Sequence, residues 1–340
     1  MFRKHFVKIL IGCFISVLLI WLTFKNINFS ETVLALKTAK YALLIPAVLI
    51  YAFTYVLRAI RYYFMLSPVK KTRLLENFPY TMTGYFMNNV IPLRIGELIR
   101  AKITGERLAV SRSSVLATIV LERLFDIIAF IAMFFVITFM ASTIHKVFPE
   151  EVKTVVYICS AIAAIMLVVL AITMTHTEKT VKLISIIPAP AKIKTLLLDL
   201  FNKFAGGLSM LKSPKIITVA LGLSFAVWIT ESLSLVIVAL SLGINLSVMG
   251  AVFTVIIIGI GAIIPTGPGF IGAFEYFGAR LALPALGVAA VPALACILLY
   301  HFMQLVVIAG LGAGSVIKSK ISFSDLFKFA KIEDNKRDEI

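Results

Sequence analysis

Six long apolar runs decide what this chain can fold into: FVKILIGCFISVLLIWLTF, YALLIPAVLIYAFTYVL, SVLATIVLERLFDIIAFIAMFFVITFM, VVYICSAIAAIMLVVLAITM, ITVALGLSFAVWITESLSLVIVALSL and VPALACILLYHFMQLVVIAGLGAG. Each approaches or exceeds the roughly 20 residues that carry an α-helix across about 30 Å of hydrocarbon. Inside a bilayer, backbone amides and carbonyls find no water. A spanning segment must satisfy them within itself, as a helix does. No water-soluble core absorbs this much apolar surface: 60% of the 340 residues are hydrophobic and 15% are charged, against about 45–50% and about 25% in soluble domains. The expected fold class is an all-α polytopic membrane protein with about six to eight membrane segments. The first run lacks a small-residue cleavage pattern and leads into further spans, so it reads as a retained helix rather than a signal peptide.

The net charge is +16, from 33 basic and 17 acidic residues. In a soluble domain such a balance would suggest nucleic acid. Here the cations sit in loops between apolar runs, which the positive-inside rule and anionic head groups account for. The basic N-terminus MFRKHFVK, the cluster Arg58, Arg61, Lys70, Lys71 and Arg73 after the second run, and the lysines of 176–215 are expected on the cytoplasmic side. The charge-balanced loop 145–153 is expected outside. Both termini are then cytoplasmic, in a multi-pass protein of the inner cell membrane. Residues 1–318 read as a single transmembrane domain with an interfacial linker at 178–213, and 319–340 as a cytoplasmic tail. Cys13, Cys159 and Cys296 lie in apolar runs without metal-ligand spacing and read as small core residues. Neither a metal nor a cofactor is implied.

Two apolar stretches break the loop tally. NFPYTMTGYFMNNVIP (77–92) and AVFTVIIIGIGAIIP (251–265) each end in Ile-Pro followed by a polar, glycine-bearing segment. As full crossings they would put the basic segment 94–112 outside. As re-entrant hairpins they satisfy every loop. Irregular backbone at membrane depth is tolerated only where protein buries it or water reaches it, so each hairpin is expected to line a cavity. The order span, hairpin, span recurs in the halves 41–142 and 216–316, with Pro92 and Pro265 separated by 173 positions (265 − 92). One further span between the halves would turn the second over, giving the inverted-topology repeat found in secondary transporters.

An ionisable group inside a bilayer costs at least about 2.5–3.5 kcal/mol, so each needs a partner or a purpose. In NNVIPLRIGELIR, a helix starting after Pro92 makes Arg94–Glu97 and Glu97–Arg100 i,i+3 pairs and aims free N–H groups at an anion. Such a set suits a phosphate, or else a self-compensating brace for the hairpin. In LERLFD, Glu122 and Asp126 share one helix face with Arg123 beside them, roughly 12 Å into a span at 1.5 Å per residue. In PTGPGFIGAFE, two prolines and three glycines forbid a regular helix, and Glu275 follows where a helix resumes. Glu231 lies mid-span. His301 and Gln304 on the last span read first as interhelical hydrogen-bond partners. P-loop, GxSxG and HExxH signatures are absent, so the chain is expected not to be an enzyme.

At these three blocks, in this order, the chain resembles the transmembrane region of the lysylphosphatidylglycerol synthase family, a flippase-like domain. The family's N…P.R.GE..R, ER..D and P…PG..G..E patterns stand here as NNVIPLRIGELIR, LERLFD and PTGPGFIGAFE. The last departs from the family's P.PGG by one residue. The resemblance covers roughly residues 5–318 and implies lipid translocation. A soluble synthase domain is not seen, so the synthase title is not carried over.

The expected substrate is an anionic phospholipid, an aminoacyl-phospholipid or a polyprenyl-phosphate sugar. Arg94, Arg100, Arg123, Asn88 and Asn89 would bind its head group. Glu97, Glu122, Asp126, Glu231 and Glu275 would balance charge or couple protons. Pro92, Gly96, Pro265, Gly267, Pro268, Gly269 and Gly272 would shape the hairpins. Expected partners are membrane lipids and a lipid-modifying or glycosyltransferase enzyme. The alternative is an integral-membrane lipid or glycosyl transferase, or a scaffold for one.

Overall fold

The structure is a computed structural model describing residues 2–91, 95–143 and 208–318, with the isolated positions 161 and 198. Pro92, Arg94, Cys159, the loop 145–153, the expected span at 153–175, most of the linker 178–213 and the tail 319–340 lie outside the described residues. Among the described residues the regular elements are all helical, in keeping with a polytopic all-α membrane protein.

Helix α1 (Phe2–Phe24) turns sharply into α2 (Phe29–Lys37), and the axes differ by 83°. Asn28 caps α2 by accepting the Ser30 and Glu31 N–H groups, which satisfies donors that a new helix otherwise leaves open. α3 (Leu44–Leu66) is followed by the shorter α4 (Leu74–Val90) and α5 (Gly96–Leu108), then by the long α6 (Arg112–Thr143). The second set has α7 (Pro214–Ser241), the short α8 (Val248–Gly261), a turn with a 3-10 element at Pro268–Phe270, helix α9, and α10 (Ala290–Lys318). α9 runs continuously through Ala273–Glu275, the π-wound Tyr276–Ala282 and Leu283–Ala285. Among the described residues three helices are long and apolar enough to cross a membrane, Tyr41–Leu66, Pro214–Ser241 and Ala290–Lys318; the bent α1–α2 pair would make a fourth.

α3 and α7 form the central antiparallel pair. Lys40 N–H donates to the Ser241 carbonyl at 2.8 Å, Ser234 Oγ to the Ala47 carbonyl at 2.9 Å, and Arg61 to Ser224 Oγ at 2.6 Å, so rising numbers on one helix meet falling numbers on the other. α10 closes one side of this pair, packing Tyr300 against Tyr51 and Phe274. α4 and α5 fold back on each other at a glycine contact. A Cβ on Gly96 would fall 2.2 Å from the Gly84 carbonyl oxygen and 2.6 Å from Asn88 N, so only glycine permits this approach.

The structure corrects one element of the loop tally. Arg58 and Arg61 do not mark the cytoplasmic end of the second run: α3 continues to Leu66, and both side chains are buried in the bundle. The helical period explains why. Tyr51, Tyr55, Arg58 and Tyr62 repeat at intervals of four, three and four, with Arg61 beside them, so all lie along the face that meets α7 and α6.

Candidate functional site

Four arginines enter the interior, from α3, α5 and α6, and each meets a carboxylate. Arg61 donates to Glu122 at 2.8 Å and to Asp126 at 2.5 Å. Arg100 donates to the other oxygen of Glu122 at 2.9 Å and lies 3.8 Å over the ring of Tyr62. Arg123 stands 3.4 Å from both Glu122 and Asp126, and 3.6 Å from Glu97. Arg58 donates to Glu231 across the α3–α7 contact at 2.6 Å. Aromatic groups complete the set. Tyr85 Oη donates to Glu122 at 3.0 Å and accepts from Arg123 at 3.0 Å, while Trp228 Nε1 donates to Asp126 at 3.0 Å. The Arg58 guanidinium sits among the rings of Trp228 (4.8 Å), Tyr85 (5.3 Å) and Tyr55 (5.7 Å). Isolated charges in such surroundings are heavily penalised; pairing and hydrogen bonding are what make these tolerable.

Beside the network lies a cavity of about 450 Å³. Its polar wall carries Arg58, Arg123, Asn88, Asn89, Glu97, Asp126 and Glu231, and its apolar wall includes Ile127, Phe130, Ile131, Ile260, Ile263 and Leu305. The geometry divides the arginines. Arg58 and Arg123 border the cavity, whereas Arg61 and Arg100 are sealed behind Glu122. Arg58 Nε is buried without a hydrogen-bond acceptor, leaving a donor unused at this wall.

The residues singled out from the sequence are therefore only partly brought together. Glu97 does not pair with Arg100 one turn on. It faces Arg123, and Arg100 turns instead to Glu122, because α5 packs against α6 and offers it a closer, drier carboxylate. Asn89 Nδ2 donates to the Tyr85 carbonyl at 3.0 Å, and Asn88 Oδ1 is buried without a partner. Arg94 lies outside the described residues. Glu275 is apart from the arginines, near His301, whose Nδ1 stands 2.5 Å from its Oε1. Between Pro265 and Gly272 the chain makes an irregular turn, with Gly269 and Gly272 at φ +67° and +94°, where glycine carries no Cβ penalty. Among the described residues no group of His, Cys, Asp and Glu is arranged to hold a metal ion. Reasoning from the sequence missed Arg58, Arg61, Tyr85 and Trp228. For the two arginines the signal was their i,i+3 placement on the tyrosine face of α3.

Comparison with known proteins places this geometry in context. The family described as the lysylphosphatidylglycerol synthase TM region matches residues 9–312. Among curated proteins, "UPF0104 membrane protein MJ1078" of Methanocaldococcus jannaschii is 25% identical over a stretch covering 56% of this chain and 76% of that protein. "Glycosyltransferase AglD" of Haloferax volcanii is 25% identical over 94% of this chain, which corresponds to 55% of its own length. This last match corrects the expectation that the chain is not an enzyme. A protein named as a glycosyltransferase aligns along nearly all of it, and missing motifs exclude only the chemistries those motifs carry.

Proposed function

We propose, from the premise that this chain belongs to the lysylphosphatidylglycerol synthase transmembrane family, that it holds the phosphate-bearing head group of a membrane lipid in the cavity and carries it between leaflets. The observation that bears most weight is the two-faced cavity. Arg58 and Arg123 stand on one wall and branched and aromatic hydrocarbon on the other, so phosphate and acyl or isoprenoid chain each meet a matching surface. Arg58 and Arg123 bind the phosphate, Asn88 and Asn89 orient the head group, and Glu97, Asp126 and Glu231 take back the arginines when the lipid leaves. Glu122, Arg61 and Arg100 brace the wall from behind.

In this reading α4–α5 and α8–α9 are two re-entrant hairpins of an inverted repeat. Support comes from the recurring order of long, short, short and long helices, with Val248 opening α8 174 positions after Leu74 opens α4 (248 − 74). The paired Arg58 and Glu231 are themselves 173 positions apart, close to the same offset. Helices that cross at repeat-equivalent positions lie at the pseudo-twofold axis, near the midplane where inverted-repeat transporters hold their substrates.

A labelled-lipid assay in reconstituted liposomes tests the proposal across phosphatidylglycerol, aminoacyl-phosphatidylglycerol and polyprenyl-phosphate sugar. Faster crossing with protein than without it is expected for one head group, with loss in Arg123→Ala. Equal rates for every head group sink the idea. A second reading, glycosyl transfer to or from a lipid within the same cavity, is favoured by the length of the match to the protein named AglD. Lipid mass spectrometry of a deletion strain separates the two. A missing glycolipid supports transfer, whereas unchanged lipids with altered sidedness support movement.

A further inference from the structure

Two titratable groups that lipid binding leaves unused, Glu275 on α9 and His301 on α10, border the turn between α8 and α9. His301 of α10 is buried with both ring nitrogens against oxygens: Nδ1 lies 2.5 Å from Glu275 Oε1, and Nε2 lies 2.8 Å from the Gly269 carbonyl oxygen. The ring stacks on Phe274 at 4.0 Å with 11° between the planes, which holds its orientation. The second carboxylate oxygen of Glu275 accepts the Gly272 N–H at 2.7 Å.

This arrangement fixes how many protons the pair holds. A carbonyl oxygen only accepts, so Nε2 carries a hydrogen. The Nδ1–Oε1 contact needs a second proton on one atom or the other, because two bare lone pairs repel at that distance. The pair is then neutral overall, either as imidazolium with carboxylate or as imidazole with carboxylic acid. Remove one proton and a neutral ring with a single N–H faces two acceptors. Whichever nitrogen keeps the hydrogen, one of the two contacts becomes repulsive and must open.

Those contacts hold a strained piece of backbone. Gly269, Phe270 and Gly272 have φ of +67°, +59° and +94°, and a phenylalanine in the left-handed region persists only where its surroundings enforce it. On the other side of the turn, Ser16 of α1 accepts the Gly267 N–H and donates to the Ile271 carbonyl, both at 2.8 Å. The Ser16 clasp is indifferent to pH, whereas the His301 contacts are not. Tyr300 on α10, Tyr51 and Arg58 on α3, Glu231 on α7, and Asn88 and Asn89 on α4 line the same cavity as His301; Tyr276 and Arg280 follow Glu275 on α9. Phe270, Phe274 and His301 all border the cavity.

We propose that Glu275 and His301 form a proton-binding site that latches the Pro265–Gly272 turn against the cavity, and that release of their shared proton frees the turn. The site rests on the lipid-passage reading only for what the freed turn admits.

The test uses the full chain in lipid nanodiscs. His5, His145 and His176 are replaced by Asn so that His301 is the one labelled histidine of the four. At neutral pH, NMR is expected to show a protonated Nε2 and a strongly deshielded proton bridging Nδ1 and Glu275. Raising the pH further should remove that proton and the exchange protection of the Gly272 N–H together, after correction for the intrinsic exchange rate. In Glu275→Gln the pH step in protection should vanish. Absence of a bridging proton wherever the chain is folded overturns the proposal, as does Gly272 protection that ignores its loss. Lipid crossing measured on the same preparation keeps the two readings apart. Crossing without a bridging proton overturns the latch alone; a latch without crossing overturns the lipid reading alone.

Discussion

Replacing Arg61 by methionine removes the central cation of the sealed network and leaves an unbranched apolar side chain in its channel. Arg61 is fully buried and donates at 2.8 Å to Glu122, at 2.5 and 3.3 Å to Asp126, and at 2.6 Å to Ser224. Without it Glu122 keeps Arg100 at 2.9 Å and Asp126 keeps Trp228 at 3.0 Å, so neither carboxylate is abandoned. Breaking a buried pair from one side costs about 3–5 kcal/mol, and the retained partners put this change near the lower end, about 3 kcal/mol. Glu97→Gln is the matched control. Its contact with Arg123 is 3.6 Å long at side chains about a quarter exposed, so a loss of about 0–1 kcal/mol is expected. Thermal unfolding of the detergent-solubilised full chain, followed by the fluorescence of Trp228 beside Asp126, measures both. Adding Asp126→Asn to Arg61→Met should recover part of the loss, because it removes the anion left in excess. If Arg61→Met is as stable as Glu97→Gln, the sealed side of the network is not a brace, and its division from the cavity-facing side fails.

Gly96→Ala should separate α4 from α5, since its Cβ would meet backbone atoms of Gly84 and Asn88 that cannot yield. A folded yield in detergent equal to wild type would contradict that packing. Gly314→Ala on α10 meets nothing within 4 Å and should raise stability by about 0.5–1 kcal/mol in the same unfolding assay, as expected for glycine in a helix interior. Ser16→Ala removes two hydrogen bonds from the Pro265–Gly272 turn, worth about 1–3 kcal/mol together. Exchange of the Gly267 N–H should accelerate about 5- to 150-fold; an unchanged rate would mean α1 does not secure the turn.

The class of fold was plain from the apolar runs, since nothing but helices satisfies the backbone over such lengths of hydrocarbon. The blocks around Glu97, Glu122 and Glu275 were equally visible, because a charge stands out in an apolar run. What stayed hidden was which charge meets which. Spacing along one helix favoured Glu97 with Arg100, yet the closer partner for Arg100 comes from α6, and no single-helix rule reports that. Arg58 and Arg61 were misassigned for a related reason. A cation near the end of an apolar run satisfies the positive-inside rule whether it points to water or into the bundle, and only the shared face with Tyr51, Tyr55 and Tyr62 tells the two apart. His301 looked like an ordinary interhelical partner until Gly269 and Glu275 were found on opposite sides of its ring.

Exchanging the members of the Arg58–Glu231 pair distinguishes a brace from a binding group. Their 2.6 Å contact joins α3 to α7, and both side chains are nearly buried, so Arg58→Glu alone sets two carboxylates against each other and should prevent folding. The double variant, Arg58→Glu with Glu231→Arg, restores an ion pair at the same crossing and should recover most of the stability. It moves the cation to α7, however, away from the rings of Tyr55 and Tyr85 that approach Arg58 within 5.7 and 5.3 Å. If the pair only ties the helices together, lipid handling returns along with stability. If Arg58 presents its guanidinium to a phosphate, the swapped chain is stable yet binds and moves lipid at least tenfold less, because one good charge-assisted hydrogen bond is worth about 1.5–3 kcal/mol. Equal recovery of stability and lipid handling would remove Arg58 from the binding set and leave Arg123 as the cavity's anion-facing cation among the described residues.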